Sequence, residues 1–312
     1  MMRQLLMKRL SSFALSGGIC LLVLAAVAPS TRAQETDTDP VGFRFLMIGG
    51  GARAVGLGET MVADGGADPF VMEYNPAGLA ALERSAVAFA HNEFFLDTRG
   101  EYVTAGVPIG RWAVGGRVAY LGVDDIPLRT GPSSQPLALY DQSSGVFQAA
   151  VARSITDQLA IGLSAAYVLE HINNETAQSG IFGLGVRYQR WSNFVLGAAL
   201  TNFGPKTEFV EDEFRMPNRF QLGAVWTQEK YNLRGELVAP DEMDVKAHVG
   251  VEVTPDPKFA LRAGLKLGYD TQVFAGGFGA STPDGRFQVD YAFAPYTDDF
   301  GNTHRFGVSI RP

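Results

Sequence analysis

Residues 159–170 read LAIGLSAAYVLE. Leu159, Ile161, Leu163, Ala165, Tyr167 and Leu169 form one series, and Ala160, Gly162, Ser164, Ala166, Val168 and Glu170 form the other. Side chains alternate between the two faces of an extended strand, so one face here is large and apolar and the other small or polar. The run is long for a soluble sandwich and suits a tilted strand crossing a bilayer.

The same alternation recurs on both sides of this stretch. Phe182, Leu184, Val186 and Tyr188 alternate with Gly183, Gly185, Arg187 and Gln189; Phe259, Leu261, Ala263 and Leu265 alternate with Ala260, Arg262, Gly264 and Lys266. About fourteen such segments are expected, near 84–91, 101–108, 111–121, 144–154, 158–170, 179–190, 193–202, 217–228, 230–238, 244–254, 257–267, 271–280, 285–294 and 303–311. Links after even-numbered segments are short, as at Ile109-Gly110 and Trp191-Ser192. Most links after odd-numbered ones are long, the longest being 122–143. Tight turns at one rim and long loops at the other characterise a transmembrane antiparallel β-barrel. Trp112, Trp191 and Trp226 flank the short turns, and Tyr102, Tyr120, Tyr167 and Tyr269 lie near the other rim, as two interfacial aromatic belts would require. The expected fold is therefore all-β: a barrel over residues 84–312, with its closing strand ending near Arg311.

The N-terminus reads as an export signal over residues 1–33. Arg3, Lys8 and Arg9 precede an apolar run at 13–28, and Thr31-Arg32-Ala33 offers a cleavage site. Cleavage removes Cys20, the only cysteine, and with it thiol chemistry and disulfides. Four of the 26 basic residues go too, leaving 22 against 33 acidic ones and a net charge near −11. That balance argues against nucleic acid as a partner. The partner a barrel wall requires is the lipid of the outer membrane.

Residues 34–83 differ in character from the wall. Gly51-Ala52-Arg53-Ala54-Val55-Gly56-Leu57-Gly58 is glycine-rich, and 64–68 is turn-like. In Tyr74-Asn75-Pro76-Ala77-Gly78-Leu79, Asn75 is a good N-cap and Pro76 suits the first position of a short helix running to about Leu82. A fourteen-stranded barrel is roughly 30 Å across, too wide for side chains alone to fill. This segment is expected to fold inside as a plug with short helices.

The run GARAVGLGETMVADGGADPFVMEYNPAGLA resembles the N-terminal hatch of FadL-type outer-membrane transport proteins, most closely the PorV/PorQ branch. The elements that carry the resemblance are Gly51, Ala52, Arg53, Gly56 and Gly58, then Asn75, Pro76 and Gly78. The resemblance implies one of two roles. PorV/PorQ-like relatives serve type IX secretion and bind exported proteins; FadL-like relatives pass small hydrophobic molecules through the barrel and sideways into the membrane. The first is the main expectation and the second its alternative. It also implies a side port where the third strand is kinked, and here that strand carries Gly115 and Gly116 in mid-span. Adjacent glycines permit a bend, though they equally permit packing against a plug side chain.

No cofactor, metal or catalytic constellation emerges. The glycine-rich run lacks the Lys and Ser/Thr of a P-loop and a βαβ context, and HExxH and GxSxG are absent. His91, His171, His248 and His304 lack metal-ligand spacing. Alternation places Arg117, Glu170, Arg187, Arg234, Glu236, Lys246, His248, Glu252, Arg262 and Lys266 inside the lumen. Because both signs are interleaved, a paired interior that anchors the plug is favoured over an ion-selective channel. Glu208, Glu211, Asp212 and Glu213 form an acidic outer loop.

Overall fold

The computed structural model describes residues 40–210, 212–241, 244–297 and 300–312; the expected signal peptide and the polar stretch after it lie outside these. The strands are β1 (Ala86–Glu93), β2 (Arg99–Ile109), β3 (Trp112–Leu128), β4 (Ala138–Ser154), β5 (Leu159–Ile172), β6 (Glu175–Trp191), β7 (Phe194–Phe203), β8 (Thr207–Phe209), β9 (Asp212–Phe214), β10 (Arg219–Gln228), β11 (Tyr231–Pro240), β12 (Lys246–Asp256), β13 (Phe259–Leu267), β14 (Phe274–Ser281), β15 (Phe287–Tyr296) and β16 (Gly301–Ile310). All but β8 and β9 pair antiparallel in one closed barrel of fourteen strands, which shuts where β1 meets β16 from Val87↔Ile310 to Glu93↔His304. Closure gives every barrel strand a neighbour on both sides and leaves no edge, as a wall in lipid requires.

The faces separate as the alternation demands. Leu163, Phe182, Leu184, Phe220 and Phe278 are exposed on the outside, while Gly162, Ser164, Gly183 and Gly185 face inward. Trp112 and Trp191 are exposed beside their short turns, and Tyr120 and Tyr167 are exposed toward the other rim. Two of the expected belt tyrosines are corrected. Tyr102 is buried and faces inward, in step with Thr104 and Gly106, and Tyr269 turns in over the mouth, its hydroxyl 3.0 Å from His248 Nε2.

Strand ends also differ from expectation. β3, β4 and β6 each run 17 residues. At a tilt of ~45° such a strand rises roughly 40 Å, beyond the ~25 Å apolar band, so this side of the wall stands above the membrane. The long loop expected at 122–143 therefore shrinks to 129–137, its flanks having paired. The acidic loop forms the β8–β9 hairpin, whose Phe214 folds back onto Phe43 at 5.5 Å between ring centroids.

Inside lies the plug, residues 40–85. It holds 3-10 turns at Arg44–Met47, Pro69–Glu73 and Pro76–Ala81 and one short α-helix, α1 (Ala52–Gly56). α1 emerges from the glycine-rich run, where no helix was expected. Asn75 caps the turn that follows it: its Oδ1 accepts a hydrogen bond from Ala77 N at 3.0 Å.

The plug touches the wall through backbone. A Cβ added to Gly162 would collide with Ala77 N, one on Gly197 with Val62 O, and one on Gly264 with Gly58 N. Gly180, by contrast, has open space around it. Gly162→Ala should therefore destabilise the folded barrel by about 1–3 kcal/mol, the usual cost of overpacking against atoms that cannot yield. Gly180→Ala should be near neutral. Comparing the temperature at which each variant's compact band on unheated gels converts to the unfolded one checks this, and equal temperatures would refute it.

Candidate functional site: the plug latch and a gap in the wall

Two features could do chemical work: the contacts that hold the plug, and a local break in the wall. The latch centres on Arg53 of α1. Its Nε and Nη2 each lie 3.1 Å from a Glu252 carboxylate oxygen on β12, a bidentate pair, while Nη1 meets Asp64 of the plug. Arg234 of β11 reaches Asp64 at 3.1 Å, and Arg262 of β13 reaches Glu252 at 2.7 Å and Asp290 of β15 at 2.6 Å. Charges this deeply buried are tolerable only when paired and hydrogen-bonded. Burial alone would push the Asp64 carboxyl up; Arg234 and Arg53 overcome it and hold the group down to about 2.

Other lumen residues bind the plug one by one. Glu236 accepts from Val62 N at 3.0 Å and from the Gln221 amide. Lys266 pairs with Glu59 at 3.3 Å. Arg117 pairs with Glu73 at 3.4 Å. Asn75 Nδ2 donates to Val62 O at 2.6 Å and to Val186 O of β6 at 3.0 Å, joining cap, plug and wall. Glu170, Arg187 and Lys246 are half-buried; Lys246 donates to Gly268 O near the mouth, and the Arg187 guanidinium lies against Gly65. Of the plug-motif glycines, Gly51 precedes α1 as its N-cap, and Gly56 lies against Gly277 and Ala292 of the wall. Gly58 has φ +65°, a left-handed conformation that glycine adopts without strain. Gly78 packs so closely on Val71 that a Cβ would strike it.

The strand-3 port expected at Gly115 and Gly116 is not seen. β3 pairs with β2 and β4 without interruption through both residues. Gly115 faces Leu79 and Met72 of the plug, so the packing alternative describes it. The irregularity in β3 falls further on, between Val123 and Ile126, where Asp125 has φ +58°.

A break that the sequence reading missed lies between β6 and β7. Pairing steps from Phe182↔Phe203 to Leu184↔Leu200, two residues on β6 against three on β7. The extra residue makes a β-bulge, and Asn202 within it has φ +62°. Outside the bulge lies a groove of 440 Å³ among Val151, Leu163, Phe182, Leu184, Leu200 and Phe203, floored by small residues such as Ala149 and Ala165. Inside lies a small cavity of 20 Å³ bordered by Glu73, Arg117, Gln148, Thr201 and Asn202. Ser164 and Phe182 line both. The signal in the sequence was Ala149 and Ala165, small residues at outward positions where their neighbours are large.

A closed fourteen-stranded wall around an N-terminal plug defines the class of plugged outer-membrane barrels. Among solved structures the chain is similar to the toluene transporter TbuX of Ralstonia pickettii, with a TM-score of 0.60 at 12% identity over 84% of this chain and 98% of that one. It is similar to the toluene transporter TodX of Pseudomonas putida, at 0.59 and 13% over 88% and 98%. A FadL homologue from Pseudomonas aeruginosa follows at 0.57 and 11%, over 83% and 97%. At these identities the likeness is one of fold, and the fold is FadL-like. No model of a protein family matches the chain. No curated protein matches it.

The latch carries an acid signature. A carboxylate held below its ordinary value of 3.8 stabilises the folded state in full above that value, and the contribution is lost as pH falls through about 2. The protein should lose stability between about pH 4 and 2, and Asp64→Asn, less stable at neutral pH, should lose less across that window. Unfolding temperature followed against pH checks this; parallel curves for the two proteins would exclude Asp64 as the acid-sensitive group.

Proposed function

We propose that this protein admits small hydrophobic compounds through the bacterial outer membrane, after export by the leader at residues 1–33. The observation that carries the reading is the meeting of the apolar groove and the inner cavity at the β6–β7 bulge. A groove of 440 Å³ exceeds the ~150 Å³ that suffices for benzene. Its lining is apolar, so a compound leaving the lumen there passes into lipid without crossing water.

A second groove gives the comparison. Four strands round the barrel, at β11–β13, 220 Å³ opens among Leu233, Ala247, Val249, Val251, Ala263 and Leu265. Behind it the plug backbone at Leu57 and Gly58 presses on Gly250 and Gly264, filling the lumen side. The groove at β5–β7 is backed by a cavity instead, and so the proposed route is placed there rather than at strand 3.

The fold neighbours support transport over secretion. TbuX and TodX are toluene transporters. A type IX secretion role, with exported proteins as partners, rests on the resemblance of the plug motif to the PorV/PorQ branch alone.

Purified protein in liposomes should raise the rate of toluene uptake above that of protein-free vesicles. Ala165→Trp, which fills the groove from outside, should cut that uptake severalfold, and Ala263→Trp in the second groove should not. Uptake equal to empty vesicles would remove the transport reading; equal effects of the two tryptophans would remove the route.

A further inference from the structure

The inner cavity is polar where the groove outside it is not. Arg117 and Thr201 are both more than nine-tenths buried at its border. Arg117 gives Nη2 to Glu73 at 3.4 Å and Nη1 to Gln148 at 3.3 Å, but its Nε has no partner among the described residues. Thr201 Oγ1, placed at the bulge, has none either. A buried donor left unpaired costs about 1–3 kcal/mol, so two of them at one small cavity point to a ligand atom that completes them.

Size and charge narrow that atom. A cavity of 20 Å³ is enough for one oxygen, since ~10–15 Å³ holds a water, and too little for a carboxylate with two. The Arg117 charge is already met by Glu73. An anion arriving there would leave an unpaired negative charge beside the Glu73 carboxylate, in a region where such charges are costly. An oxygen that accepts from Arg117 Nε and exchanges a hydrogen bond with Thr201 fits both counts.

We infer that the gap between β6 and β7 is a two-part binding site for neutral hydroxylated hydrophobic molecules, the apolar body in the outer groove and a single hydroxyl in the inner cavity at Arg117 and Thr201. Ser164 and Phe182, which line both spaces, form the neck between the parts. This rests on the transport reading and specifies its substrate: a phenol or an alkanol in preference to the parent hydrocarbon, with the carboxylate excluded.

The test is equilibrium dialysis of the full-length processed protein in detergent against protein-free micelles, with labelled phenol, toluene and benzoate. Phenol should be held about tenfold more tightly than toluene once micelle partition is subtracted, as two modest hydrogen bonds predict, and benzoate should not be retained. Thr201→Val, which keeps the side-chain shape, should weaken phenol about fivefold and leave toluene unchanged. Toluene bound as well as phenol, or a Thr201→Val protein with full phenol affinity, would overturn the hydroxyl site; toluene uptake into liposomes by the same preparation would show that transport itself stands. Retention of none of the three, with no uptake, would overturn both.

Discussion

Leu57, Gly58, Val62 and Ala77 of the plug lie so near the inner wall that the strand residues facing them have no room for a Cβ. This backbone-on-backbone contact orders much else. It demands glycine at inward positions of β5, β7, β12 and β13, and the alternation then hands the large side chains to the outside, where lipid favours them. The small inner face seen in the sequence is the imprint of the plug as much as of the barrel. Close packing of this kind also makes the plug one body with the wall, because a methyl group at the contact has nowhere to go.

Glycine contact alone would not fix the plug's orientation, and the charges do that. Arg53 reaches Glu252 across the interface while Arg234 reaches back to Asp64, so each side supplies part of the other's neutralisation. Removing one partner would strand a charge in a water-poor interior. Interleaved signs along the inner face are therefore what a lumen filled by a charged plug requires. The same reasoning explains why Glu236, which has no ion pair among the described residues, is met instead by Val62 N and the Gln221 amide.

The wall was legible because lipid outside and plug inside impose a strict period of two on every strand, and the fourteen segments follow from it. Where that pressure ends, so does the reading. β3 and β4 continue past the membrane, where no lipid enforces alternation, so their paired ends read in sequence as loop. Tyr102 has the height along the wall of a belt residue, but its parity selects the inner face. α1 formed in a glycine-rich run because burial between β13, β14, β15 and β16 compensates its poor intrinsic propensity. Asn75 and Pro76 were readable as a cap because capping is local, but the bond from Asn75 to Val186 of β6 joins positions 111 apart and leaves no local trace.

The side port illustrates the difference between a permissive residue and a formed feature. Gly115 and Gly116 allow a bend, yet β3 is held straight by full pairing on both sides, and Gly115 is used up as a seat for Leu79 and Met72. The break occurs where pairing itself fails to match, at one extra residue in β7. There the plug offers the Glu73 end rather than backbone, so the lumen side stays hollow while the lipid side is floored by alanines. At β11–β13 a comparable surface hollow forms over paired strands with plug backbone behind them. A hollow in the outer surface is thus common to both places. What distinguishes one of them is the coincidence of a register mismatch and a retreating plug, two features set by separate stretches of the chain.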